Sequence, residues 1–130
     1  MTFKVKILIS VLAIVGFDAV ASIASRTLKF EYTRFMWLSF LIYICVGYYG
    51  AYRQGFGYGM VLGALAGLSD STLGWLVSRM IGPFVQTPMP SLNPVLVAMV
   101  VIVVTASALL FGSLGAGVCK LLGQTRTGDP

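Results

Sequence analysis

The chain has 130 residues, room for one domain, and 58% of them are hydrophobic while only 10% are charged, against about a quarter in soluble domains. A mean hydropathy of +0.91 with a net charge of +5 excludes a disordered protein, a disulfide-built secreted module and a nucleic-acid binder. The absence of histidine removes the commonest metal ligand and the commonest general base at neutral pH, and neither a metal nor a cofactor is expected.

Charged residues punctuate the chain into four apolar stretches, each able to supply the roughly 20 residues a helix needs to cross about 30 Å of hydrocarbon. The first predicted span, about 5–25, follows Lys4 and Lys6 and contains one charge, Asp18. Its start also resembles a signal peptide, with Ala19-Val20-Ala21 before Ser22 as a small-residue cleavage site. Cleavage would leave three helices and remove Asp18. The apolar run continues past that site, and multispanning proteins generally keep their first helix, so an uncleaved anchor is preferred. Residues 26–34 form a basic connection suited to anionic headgroups.

The second predicted span, about 34–52, carries Tyr43 halfway along. Aromatic residues gather at its ends: Phe30, Tyr32, Phe35 and Trp37 at one, Tyr48, Tyr49, Tyr52, Phe56 and Tyr58 at the other, as in the belts at membrane interfaces. The third, about 56–81, contains Asp70 flanked by Ser69, Ser71 and Thr72. Along it Gly55, Gly59, Gly63, Gly67 and Ser71 recur every four residues, a face that lets another backbone come close. Complementary small faces are Ala108, Gly112 and Ala116 on the fourth span and Gly47 with Ala51 on the second; Gly16 and Ala13 on the first are also small. The ladder fits packing within the chain or against a second copy, and the internal faces favour the former.

The stretch Gly82–Asn93 is proline-rich and apolar, and reads as a loop or a surface-lying lid. Asn93 before Pro94 is an N-cap with proline at the first helical position, opening a fourth span over about 94–119 that carries Thr105 and Ser107 near its middle. The tail Gly123–Pro130 is polar and expected to be disordered. Cys45 and Cys119 have no metal-ligand spacing and read as small hydrophobes. The fold class expected is therefore an all-α integral membrane protein, a single domain over 1–130 forming a four-transmembrane-helix bundle with short loops.

An Asp at the centre of a lipid-exposed helix costs about 2.5–3.5 kcal/mol on the insertion scale, so such residues face a bundle interior and mark function. Asp18 lies 13 residues into the first span and Asp70 14 into the third, both counted from the same side, which puts them at one depth. Tyr43, Thr105, Ser71 and Ser22 reach the same layer, and Ser25 continues the face of Ser22. Two carboxylates close together in low dielectric do not both ionise, which suits a proton or cation site. The other readings are protonated aspartates acting as hydrogen-bonding glue between helices and aspartates docking a partner's basic residue.

Gly-rich phosphate loops, HExxH, GxSxG and CxxC are absent from the sequence, and an enzyme is not expected. Size and helix number resemble those of the small multidrug exporters and the small fluoride channels, four-helix proteins that work as dimers, and the acidic residue of the first helix is similar to a feature of the former. The exporters' further motifs around Asp18 and the channels' paired glycines followed by arginine are not in this sequence, so no residue role is carried over.

The function expected is movement of a proton, cation or small solute through a midplane site containing Asp18 and Asp70. The alternative is an accessory or assembly subunit of a larger membrane complex, binding partner helices through its small-residue faces. Besides the lipid bilayer, the partners expected are a second copy of the chain or the other subunits of such a complex. The location expected is a bacterial inner membrane. Lys4, Lys6, Arg53, Lys120 and Arg126 on the side of the termini, against Arg26, Lys29, Arg34 and Arg79 on the other, favour cytoplasmic termini.

Overall fold

The computed structural model describes residues 2–86, 91 and 93–125. Every regular element among them is helical: α1 (Phe3–Leu28), a 3₁₀ turn (Tyr32–Phe35) leading into α2 (Met36–Ala51), α3 (Phe56–Ser69), a π turn (Asp70–Gly74) running on into α4 (Trp75–Ile81), and α5 (Pro94–Leu121). Taken as continuous rods these make four helices long and apolar enough to cross a membrane, Phe3–Leu28, Tyr32–Ala51, Phe56–Ile81 and Pro94–Leu121. The first and last outrun the expected spans at their ends, because helix propensity continues past the hydropathy boundary until a cap intervenes.

The caps have local causes. Asn93 accepts the Val95 N–H at 3.0 Å, with Pro94 at the first helical position, as its sequence predicts. At the other end of α5, Gly123 takes φ +66° and the N–H groups of Gly123 and Gln124 bond the carbonyls of Lys120 and Cys119, a Schellman closure. Gly123 and Gln124 of the expected tail are thus tied to the end of α5. Gln124 is also fastened by the Tyr48 hydroxyl and by the Arg53 N–H, 3.0 Å from its carbonyl. Residues 126–130 lie outside the described residues, as do Pro88, Met89, Pro90 and Leu92 of the proline-rich loop.

Packing follows side-chain size. α2, α3 and α5 press together along small residues: a Cβ added at Gly63 would stand 3.0 Å from both the Ala108 carbonyl oxygen and Gly112 Cα, and one at Gly59 would strike the Gly47 carbonyl and Ala116. Gly67 faces Ala108 and the backbone of Thr105. Gly55 does not belong to this seam, since nothing lies near it; it caps α3 at φ +112°, a conformation glycine adopts without strain. Around the seam Ile14, Tyr43, Val46, Leu62, Ala66 and Ala108 form the core.

α1 packs against α3, the π turn, α4 and α2, whereas among the described residues it does not approach α5. The first and last helices thus lie on opposite flanks of the third. The aspartate-bearing faces of α1 and the π turn meet on the α1 side of the third rod.

Candidate functional site

The third rod is not one uninterrupted α-helix. At its centre the hydroxyls of Ser69, Ser71 and Thr72 donate back to the carbonyls four residues earlier, Leu65, Gly67 and Leu68, at 2.8, 2.9 and 2.6 Å. Such back-bonding competes with the backbone for its own acceptors, and here it accompanies the widened π turn at Asp70–Gly74. π turns occur disproportionately at functional positions. This one sets Asp70 and Gly74 toward α1.

Gly74 allows the approach. A Cβ on it would collide with Asp18 Oδ2 and stand 3.2 Å from Asp70 Oδ1. Asp18, only 3% exposed, comes from the middle of α1, and its Oδ2 and Asp70 Oδ1 face the same point beside Gly74. Ionised carboxylates offer acceptors only, so a direct bond between the pair would require one proton between them. Among the described residues Asp18 Oδ2 is a buried oxygen without a hydrogen-bond partner.

Each remaining carboxylate oxygen has a tyrosine. The Tyr43 hydroxyl, buried on α2, donates to Asp70 Oδ2. The Tyr32 hydroxyl donates to Asp18 Oδ1 at 3.1 Å and lies 3.0 Å from Ser78 Oγ, which Ser22 Oγ approaches at 2.9 Å. Four polypeptide segments therefore converge on one polar cluster. It borders a cavity of about 310 Å³ whose walls include Phe35, Phe40, Trp75 and Val104, and among the described residues lining it none is Lys or Arg. Exposed Thr33, Met36 and Val103 also line the cavity, so it reaches the outer surface.

The expected site residues divide. Asp18, Asp70, Tyr43 and Ser22 come together in this cluster. Ser71 lines the cavity but gives its hydroxyl to Gly67 and Leu68 of its own helix. Thr105 is not among the cavity's described lining; it meets α3 at Gly67, and its buried hydroxyl has no partner among the described residues. Ser107 lines the cavity while bonding back to Val103.

Three residues of the cluster escaped the sequence reading. Local composition assigns Tyr32 to an interfacial aromatic belt, yet the 3₁₀ turn folds it inward onto Asp18. Gly74 and Ser78 continue the α1-facing side of the third rod at four-residue spacing, a signal readable only once that face is known. Arg79 lies with its guanidinium 5.0 Å from the Trp75 ring centroid. No family model, curated protein or solved structure matches the chain.

Proposed function

We propose that this chain is a small transport-type membrane protein in which Asp18 and Asp70 together bind and release a proton or a cation. The observation that carries the reading is a pair of carboxyl groups from separate helices, meeting beside Gly74 and bordering a cavity whose described lining has no Lys or Arg. Shared carboxyl pairs exchange a proton for a positive charge because their two ionised forms repel in low dielectric. Tyr43 and Tyr32 hold the outer oxygens in place. A glue role would need only satisfied hydrogen bonds, and it would not need an adjoining cavity.

Four crossings put both ends of the chain on one side, and the basic residues there favour the cytoplasmic face of a bacterial inner membrane. The test is flux. In proteoliposomes containing a pH-sensitive dye, Asp18→Asn and Asp70→Asn should each abolish proton movement driven by an imposed gradient, with helical content and yield unchanged. Equal flux in the wild type and both variants rejects the proposal. If the wild type shows no flux and the same variants instead lose a co-purifying membrane protein, the chain is an accessory subunit.

A further inference from the structure

The hydroxyls beside Asp18 form an ordered chain, and its direction follows from counting protons. Each hydroxyl has one proton to donate. Tyr32 gives its proton to Asp18 Oδ1, so the 3.0 Å contact with Ser78 requires Ser78 to donate to Tyr32. Ser78 is then committed, and its oxygen accepts from Ser22 at 2.9 Å. Every donor points toward Asp18. Ser22 is wholly buried and Ser78 nearly so. The chain leads away from the carboxyl pair toward the end of α1, where Ser22 lies six residues before Leu28, about 9 Å along the axis.

That end is closed by a clasp. Ser25, one turn beyond Ser22, donates its one proton to the Phe30 carbonyl at 2.6 Å and accepts the Phe84 N–H at 3.1 Å, with the Phe84 carbonyl oxygen also 3.1 Å away. The Tyr32 N–H also bonds the Phe84 carbonyl, at 3.2 Å. Tyr32 thus belongs both to the clasp, through its backbone, and to the chain of hydroxyls, through its side chain. The ionisable groups around Asp18 are Asp70 from the π turn and Tyr32 from the 3₁₀ turn, with Tyr43 of α2 acting through Asp70.

We propose that Ser22, Ser78 and Tyr32 are a proton relay that loads Asp18 from the membrane face bearing residues 29–35 and 82–86, with the Ser25–Phe84 clasp as its gate. The proposal rests on the transport reading of the carboxyl pair. In one passage Tyr32 gives its proton to Asp18, Ser78 replaces it, Ser22 replaces that of Ser78, and a hydronium ion at the opened clasp reprotonates Ser22 and leaves as water. One proton enters and one carboxylate becomes a carboxylic acid. Rotation of the three hydroxyls restores the starting order.

Ser22→Ala and Ser78→Ala remove a relay member without touching Asp18. In the dye-loaded proteoliposomes each should slow Asp18-dependent proton flux by roughly a hundredfold, the lower end of what a positioned proton donor supplies. Ser113→Ala, whose hydroxyl bonds only back to Leu109, should leave it unchanged. Carbodiimide modification of Asp18 after long equilibration at acid pH should stay at the wild-type level in both relay variants, because the relay sets how fast the proton arrives and not whether it is held. Flux within about twofold of wild type in both serine variants overturns the relay alone. Loss of the equilibrium modification shows that the serines merely support the fold and overturns it equally. A wild type without Asp18-dependent flux removes the relay together with the transport reading beneath it.

Discussion

Lys6 places a cationic head inside the protein, at 5% exposure, on the side of the bundle where the chain's ends lie. Its Nζ donates to the carbonyls of Tyr49 and Tyr52, both at 2.8 Å, and lies 5.0 Å from the Tyr49 ring centroid. These carbonyls close α2, where the last turn has acceptors without intrahelical donors and the helix dipole is negative. A residue that reads as an interfacial charge is therefore a bolt between α1 and the end of α2. Lys6→Met keeps the aliphatic stem and removes the ammonium. It should lower stability by about 1.5–3 kcal/mol, the range for hydrogen bonds to a charged group, measured by denaturant unfolding in micelles; an unchanged midpoint would show that the contact contributes nothing.

Among the elements, α3 and α5 are held by the absence of side chains. For helices surrounded by lipid, as four helices of this length and apolarity would be in a membrane, apolar burial gives little net gain and association depends on close packing. A Cβ at Gly112 would stand 2.9 Å from Gly63 Cα, with no flexible atom to yield. Gly112→Ala should therefore destabilise by about 1–3 kcal/mol, the usual cost of overpacking. Gly16 offers the opposite case, since nothing lies within 4 Å of its added Cβ. In the middle of α1, Gly16→Ala should leave thermal unfolding unchanged or raise stability by about 0.5–1 kcal/mol. Circular dichroism melts of the two variants compared with the wild type decide the matter, and equal shifts for both would refute a packed seam.

At the scale of the whole molecule, α1 and α5 flank the third rod on opposite sides, and four helices long and apolar enough to cross a membrane would return the chain to its starting face. A cysteine at position 2 and one at position 124, introduced separately as Thr2→Cys and Gln124→Cys into a background lacking Cys45 and Cys119, should react with a membrane-impermeant maleimide from the same side. Thr27→Cys should react from the other. Labelling of positions 2 and 124 from opposite sides would exclude four crossings.

What hydropathy and charge spacing determined by themselves was the number and rough extent of the helices, because the length of an apolar run is a one-dimensional property. The Asn93 cap and the level of Asp18 with Asp70 were legible for the same reason: capping is local, and depth is a count of residues along a rod. The side each helix turns to its neighbours is set by packing between residues far apart in sequence. The inward turn of Tyr32, the place of Thr105 against Gly67 instead of the carboxyl pair, and the use of the Ser71 hydroxyl by its own helix were therefore decided only in the tertiary structure. So was the π turn, which depends on competition between hydroxyls and the backbone and rotates the face that Gly74 and Ser78 present to α1. Chain order places two acids at one height, but only three-dimensional packing brings them within reach of a common proton.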